Sequence, residues 1–155
     1  MISISDYVKM LSIQNNLIRA QTAELTHADT LLQPPNGGNC MNWVLGHTLE
    51  SQVGLLLELG GESPVPATAL AIYARESQPL AGDIPGVLAL ETLLEGHAQV
   101  HAALASRLSQ MSEADFERSV QLGERKMTLG WRVFFLNFHL TYHIGQLELL
   151  RHLAG

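Results

Sequence analysis

Four long stretches of this 155-residue chain repeat apolar residues at helical intervals, and glycine or proline pairs stand in the first two gaps between them. That pattern leaves little room for anything but packed helices. The first stretch runs from about Ser5 to Leu25, with Val8, Leu11, Ile18 and Leu25 as its stripe and Ser5 or Asp6 as candidate N-cap. Pro34-Pro35 and Gly37-Gly38 then break the chain. The second stretch covers about Met41 to Leu59, with Asn39 or Asn42 near its start, and Gly60-Gly61 ends it. The third covers about Asp83 to Met111, capped by Asp83 with Pro85 in its first turn. Thr128 caps the fourth, about Leu129 to Leu153.

Between them, ATALAIYARES reads as a short helical stretch and SEADF as a helical turn, while SVQLGERKMTL fits a loop or a small hairpin. There is no convincing run of strands, no repeat and no low-complexity tract. The expected fold is all-α: one four-helix-bundle domain over residues 1–155. The long connection between the second and third helices allows a topology other than simple up-down.

Composition narrows the partners. Hydrophobic residues are 46% of the chain, which argues against disorder. Charged residues are only 15%, against about 25% in an average domain. The net charge of -6 argues against nucleic acid and anionic membranes as partners. No apolar run is long enough for a transmembrane span, and MISISDYVKM has neither the basic start nor the apolar core of a signal peptide. One cysteine, Cys40, allows no internal disulfide. A cytoplasmic protein is expected.

The chemistry sits in the histidines. His139 and His143 are four apart on the fourth helix, hence on one face, where two imidazoles can reach one ion at about 2.0–2.1 Å. Seven histidines in a chain this long give roughly 0.3 such pairs by chance, so the pair alone decides little. A third histidine adds weight. His47 lies on the stripe Trp43, His47, Glu50, Gly54, Leu57, spaced like a buried face. A bundle that buries this stripe turns His47 toward the fourth helix. Three neutral imidazoles suit Zn²⁺ or Ni²⁺, and three protein ligands leave a position open for water or a substrate.

Glu50, one turn after His47, is a candidate fourth ligand, general base or acceptor for an imidazole N–H; the alternative is a surface glutamate. His97 and His101 form a second pair. They fall on the stripe Leu90, Leu94, His97, His101, Leu104, Leu108, which would make them pocket residues, partners of the ligands or a second metal site. The alternative stripe, Leu93, His97, Val100 and Leu104, leaves His101 at its edge. Cys40 at a helix start reads as structural, Trp43 and Trp131 as core anchors, and His27 as part of a solvated loop. Tyr142 is a candidate for a subunit interface.

The segments NWVLGHTLESQ (42–52) and MTLGWRVFFLNFHLTYHIGQLELLRHLAG (127–155) resemble the DinB-like, or DinB/YfiT-like, superfamily. The resemblance rests on His47 after Trp43, on His139 and His143, and on Gly145-Gln146-Leu147. It implies a four-helix bundle that binds a divalent metal through His47, His139 and His143, commonly as a homodimer. Characterised relatives include thiol S-transferases that use bacillithiol or mycothiol and a thiol-dependent maleylpyruvate isomerase; others carry the label metal-dependent hydrolase. The expected function is therefore a metal-dependent thiol S-transferase or hydrolase acting on a small molecule, with a low-molecular-weight thiol as co-substrate in the first case. The alternative is a non-catalytic, stress-related protein that binds a metal or a small molecule.

Overall fold

The computed structural model describes residues 3–155. The chain is all-α apart from one hairpin. Its elements are α1 (Ile4–Thr22), α2 (His27–Thr30), α3 (Met41–Glu58), α4 (Ala67–Leu70) with a following 3₁₀ turn (Ala71–Tyr73), α5 (Leu90–Ser109), α6 (Glu113–Phe116), β1 (Ser119–Leu122), β2 (Arg125–Thr128) and α7 (Leu129–Arg151). The hairpin pairs Ser119 with Thr128 and Leu122 with Arg125, so SVQLGERKMTL is strand, turn and strand. Gly123, at φ 57°, takes the left-handed turn position.

Helix boundaries follow local chemistry. Ser3, not Ser5 or Asp6, caps α1: its hydroxyl accepts from the Asp6 N–H while Asp6 accepts from the Ser3 N–H. That helix stops at Thr22 rather than Leu25, because a second capping box, Thr26 with Asp29, starts α2. His27 therefore lies in a short helix, 3.7 Å from Asp83, and not in a solvated loop. Cys40 is the N-cap residue of α3 and makes no capping bond; neither asparagine nearby caps it either. Gly60 and Gly61 donate to Leu57 and Leu56 and close α3 in a Schellman turn. The third long helix begins at Leu90, seven residues later than expected. Pro85 does not open it, because Gly86 takes φ 96° and bends the chain away from helix. Thr128 caps α7 as expected, accepting from the Trp131 N–H.

The four long helices pack around one core. α1 packs on α5 and α7, and α3 packs on α5 and α7. Chain neighbours α1 and α3 thus lie on opposite sides of the core, which the long connections permit. Every residue from Met41 to Leu49 is buried, because α3 is covered by α5, α7, α4 and the 3₁₀ turn. Along α5 the buried line is Leu90, Leu93, Gly96, His97, Val100, Leu104 and Leu108, with His101 at its margin. Trp43 is a core residue, but Trp131 is 55% exposed and anchors nothing inside. No helix among the described residues is long and apolar enough to cross a membrane.

Candidate metal centre

α3 and α7 lie side by side and bring His47, His139 and His143 together. One ring nitrogen from each lies within 4.8 Å of the others. The His139 Nε2 is 3.2 Å from the His47 Nε2 and 3.0 Å from the His143 Nε2. Two nitrogens bound to one ion at about 2.1 Å, and subtending 90–110° at it, stand roughly 3.0–3.4 Å apart. The observed spacings match a shared ion.

The outer nitrogens explain the orientation. His47 Nδ1 lies 2.8 Å from the Tyr73 carbonyl oxygen. A carbonyl only accepts, so Nδ1 carries the proton and Nε2 is left with a bare lone pair. His143 Nδ1 lies 2.7 Å from the Gln146 side-chain oxygen, with the same consequence. Two lone pairs then point at His139 Nε2, which has at most one proton to offer. The neutral triad cannot satisfy itself by hydrogen bonding, and a divalent cation would satisfy all three nitrogens. Protonation is disfavoured. Burial, helped by His143, His47, Arg132 and Arg75, lowers the pKa of His139 to about 4. Burial also lowers that of His143, against the Gln146 hydrogen bond, which raises it. His139 and His143 disfavoured for protonation by burial, with oxygen acceptors on the Nδ1 atoms of His47 and His143, make a donor set of the kind that Zn²⁺ and Ni²⁺ take.

Packing holds this set in place. The Trp43 ring stacks on His47 at 4.7 Å, and its Nε1 donates to the Ser77 hydroxyl. Tyr73 is fully buried, its hydroxyl donating to the Asn42 side-chain oxygen and accepting from the Leu88 N–H. Its ring lies on the α3 backbone at Gly46, where a Cβ would stand 2.1 Å from Cδ1. Only glycine fits there. One residue further on, His47 meets the Tyr73 carbonyl.

The triad opens on a cleft of about 960 Å³. Glu50, Ser51, Gly54 and Glu58 of α3 form one side, Arg132, Phe135 and Leu136 of α7 the other, and Arg75 and the hairpin tip its rim. The stripe from Trp43 to Leu57 is therefore buried only at its start. Glu50 and Gly54 are half-buried along the cleft, and Leu57 is exposed. Glu50 shares the cleft with the histidines but does not join their ligand cluster. A smaller, more apolar cleft of about 560 Å³ lies on the other side of His143, past Gln146 and Tyr142.

His97 and His101 are not among the residues that line either cleft. His97 is fully buried between α3 and α5. Its Nε2 is 3.0 Å from the Leu45 carbonyl and its Nδ1 2.8 Å from the Gln52 side chain. Burial lowers its pKa to about 4, so the ring is neutral and its single N–H serves one of these two oxygens. His101 Nε2 lies 3.2 Å from the Ser12 hydroxyl. Cys40 is buried and free and is not among the residues that line either cleft.

Two features escape a sequence reading. The Tyr73 carbonyl belongs to a backbone atom 26 residues from His47, and backbone acceptors leave no trace in residue identity. Arg132 forks onto Glu58 through Nε and Nη2 at 3.0–3.3 Å, with its side chain 7% exposed. Arg132 precedes His139 by seven residues on the same helix face, a spacing that could have marked it.

The sequence model of the DinB superfamily matches residues 10–147. The chain belongs to the DinB superfamily. A conserved protein from Enterococcus faecalis, known from its crystal structure, superposes on this DinB-superfamily chain with a TM-score of 0.77. That match covers 99% of this chain and 98% of the other at 16% identity, so it speaks for the fold alone. No curated protein matches the chain. The His triad of this DinB-superfamily member is a candidate divalent-metal site.

Proposed function

We propose that the chain is a metal-dependent enzyme in which His47, His139 and His143 hold one divalent ion, Zn²⁺ or Ni²⁺, for thiol S-transfer or hydrolysis of a small molecule. The observation that carries the reading is the convergence of three Nε2 atoms, two of them stripped of protons by the Tyr73 carbonyl and Gln146. When bound, such an ion supplies Lewis acidity and lowers the pKa of a thiol or water at its open position. The chain's own groups then divide the remaining work. Arg75 and the hairpin tip line the same cleft as the triad. Glu50, half-buried along the same cleft as His47, would serve as a general base or as a hydrogen-bond acceptor for a molecule bound there. The free cysteine, Cys40, suits the reducing cytoplasm in which a low-molecular-weight thiol would be the co-substrate.

Elemental analysis of untagged protein tests the metal. Wild type should carry about one transition-metal ion per chain, lost in both His47→Ala and His143→Ala while helical circular dichroism is retained. Protein that binds neither Zn²⁺ nor Ni²⁺ on titration would sink the proposal. Chelated and reloaded protein should then be screened with thiols plus electrophiles and with an ester panel. Metal-dependent turnover in one screen chooses between transferase and hydrolase; metal binding without turnover in either leaves a binding protein.

A further inference from the structure

The cleft on the far side of His143 has no part in the metal-dependent reading. It measures about 560 Å³, which falls within the roughly 300–1,000 Å³ of small-molecule sites. An apolar cavity of about 150 Å³ already holds benzene, so a molecule of roughly two or three rings has room here. The walls select its chemistry. Val44, Leu149, Leu150 and Leu153 supply aliphatic surface, and Trp43 and Tyr142 supply aromatic rings. The Pro34–Asn39 loop contributes the rest. No Asp, Glu, Lys or Arg lines this cleft, and burial disfavours a proton on His143. The metal cleft differs: Glu50, Glu58, Arg75 and Arg132 all line it. A charged molecule entering the apolar cleft would lose its hydration and find no counter-charge. A flat, uncharged one would bury apolar area and stack on the rings.

One polar group in this wall is free to orient such a molecule. The Gln146 side-chain oxygen accepts from the His143 Nδ1–H, while its Nε2 donates to no group among the described residues. An amide nitrogen has two protons to donate, so a carbonyl or ether oxygen in the cleft has a ready partner. Donation from Nε2 polarises the amide and strengthens its oxygen as an acceptor for His143. The Trp43 ring, also in the wall, stacks on His47 at 4.7 Å. An occupant therefore meets both of the side chains that brace these two imidazoles.

We propose that this cleft is a second ligand site, for an uncharged aromatic molecule whose oxygen accepts a hydrogen bond from Gln146 Nε2. Its occupancy steadies His143 and His47 from the side away from the metal cleft. The inference rests on the cleft and needs no metal, so it stands or falls separately from the metal-dependent reading.

Fluorescence titration of chelated protein with prodan tests it. Prodan is a neutral naphthyl ketone whose emission moves to the blue in apolar surroundings. It should bind at about one molecule per chain, with that blue shift. Leu153→Trp, beyond the end of α7, fills the cleft and should abolish binding. Gln146→Leu removes the donor and should weaken binding about tenfold. Gly54→Leu, in the metal cleft, and Phe138→Ser, on the exposed face of α7, should leave it unchanged. In histidine-labelled, chelated protein, prodan should move the ring-nitrogen NMR signals of His143 and leave those of His97 in place. Absence of binding overturns the proposal. So does binding that survives Leu153→Trp, is indifferent to Gln146→Leu, is lost in Gly54→Leu or Phe138→Ser, or leaves the His143 signals unmoved.

Discussion

Gln146 shows how one side chain sets the chemistry of another. It lies one turn after His143, and its amide oxygen accepts a hydrogen bond from the Nδ1–H, leaving the Nε2 lone pair free to face His47 and His139. Gln146→Leu keeps the apolar stem and removes the acceptor. The His143 ring then loses both its orientation and its tautomer preference. Metal affinity, read by competition with a chelator, should fall about 10–100-fold while the fold persists. An unchanged affinity would mean that packing alone holds the ring. Tyr73 plays the matching part for His47, with one difference: its backbone oxygen cannot be mutated away, so the Gln146 side is the one open to direct test.

At the scale of elements, α3 and α7 form the working unit. Two kinds of contact join them. The histidines meet at one level, and Arg132 bonds to Glu58 at another. The guanidinium is nearly inaccessible, so its charge depends on that carboxylate. Glu58→Ala should lower unfolding stability by about 3 kcal/mol, measured by urea titration, since it strands a buried cation. A loss under about 1 kcal/mol would show that water reaches Arg132 through the cleft. The hairpin and the 3₁₀ turn are the smaller elements that finish the site. The first rims the cleft and the second delivers Tyr73 onto Gly46.

For the whole molecule, the buried histidines make stability depend on pH. His97 and His139 both bind protons less readily when folded, near 4, than at the ordinary value of 6.5. Between those values the unfolded chain holds protons that the folded chain refuses, so stability rises with pH across that window and is complete above it. Acidification from 6.5 toward 4 withdraws it. For the fully buried His97 the contribution is on the order of 3 kcal/mol; the half-buried His139 adds less, because solvent screens it. Chelated protein unfolded by urea at pH 7.5, 5.5 and 4.5 should show a steady fall, and His97→Gln should flatten part of it. A flat profile in wild type would refute this account.

Much of the molecule was legible before any coordinates. The four helices showed in their apolar spacing, Thr128 and Gly60-Gly61 marked two of their ends, and His47, His139 and His143 could be placed on facing stripes. All of these are local signals, set by residues within a turn or two of one another. Two boundaries were misjudged where one local signal outweighed another: the Thr26–Asp29 box cut α1 short, and Gly86 delayed α5. What only the tertiary structure decided depends on groups far apart in the chain. Which stripe of α5 turns inward, where His97 spends its nitrogens, which carbonyl orients His47, and that Trp131 faces outward all follow from how helices are set against each other. Helical periodicity says that a face is apolar. Only the neighbour packed against it, or left off it, says whether that face is core, cleft or contact surface.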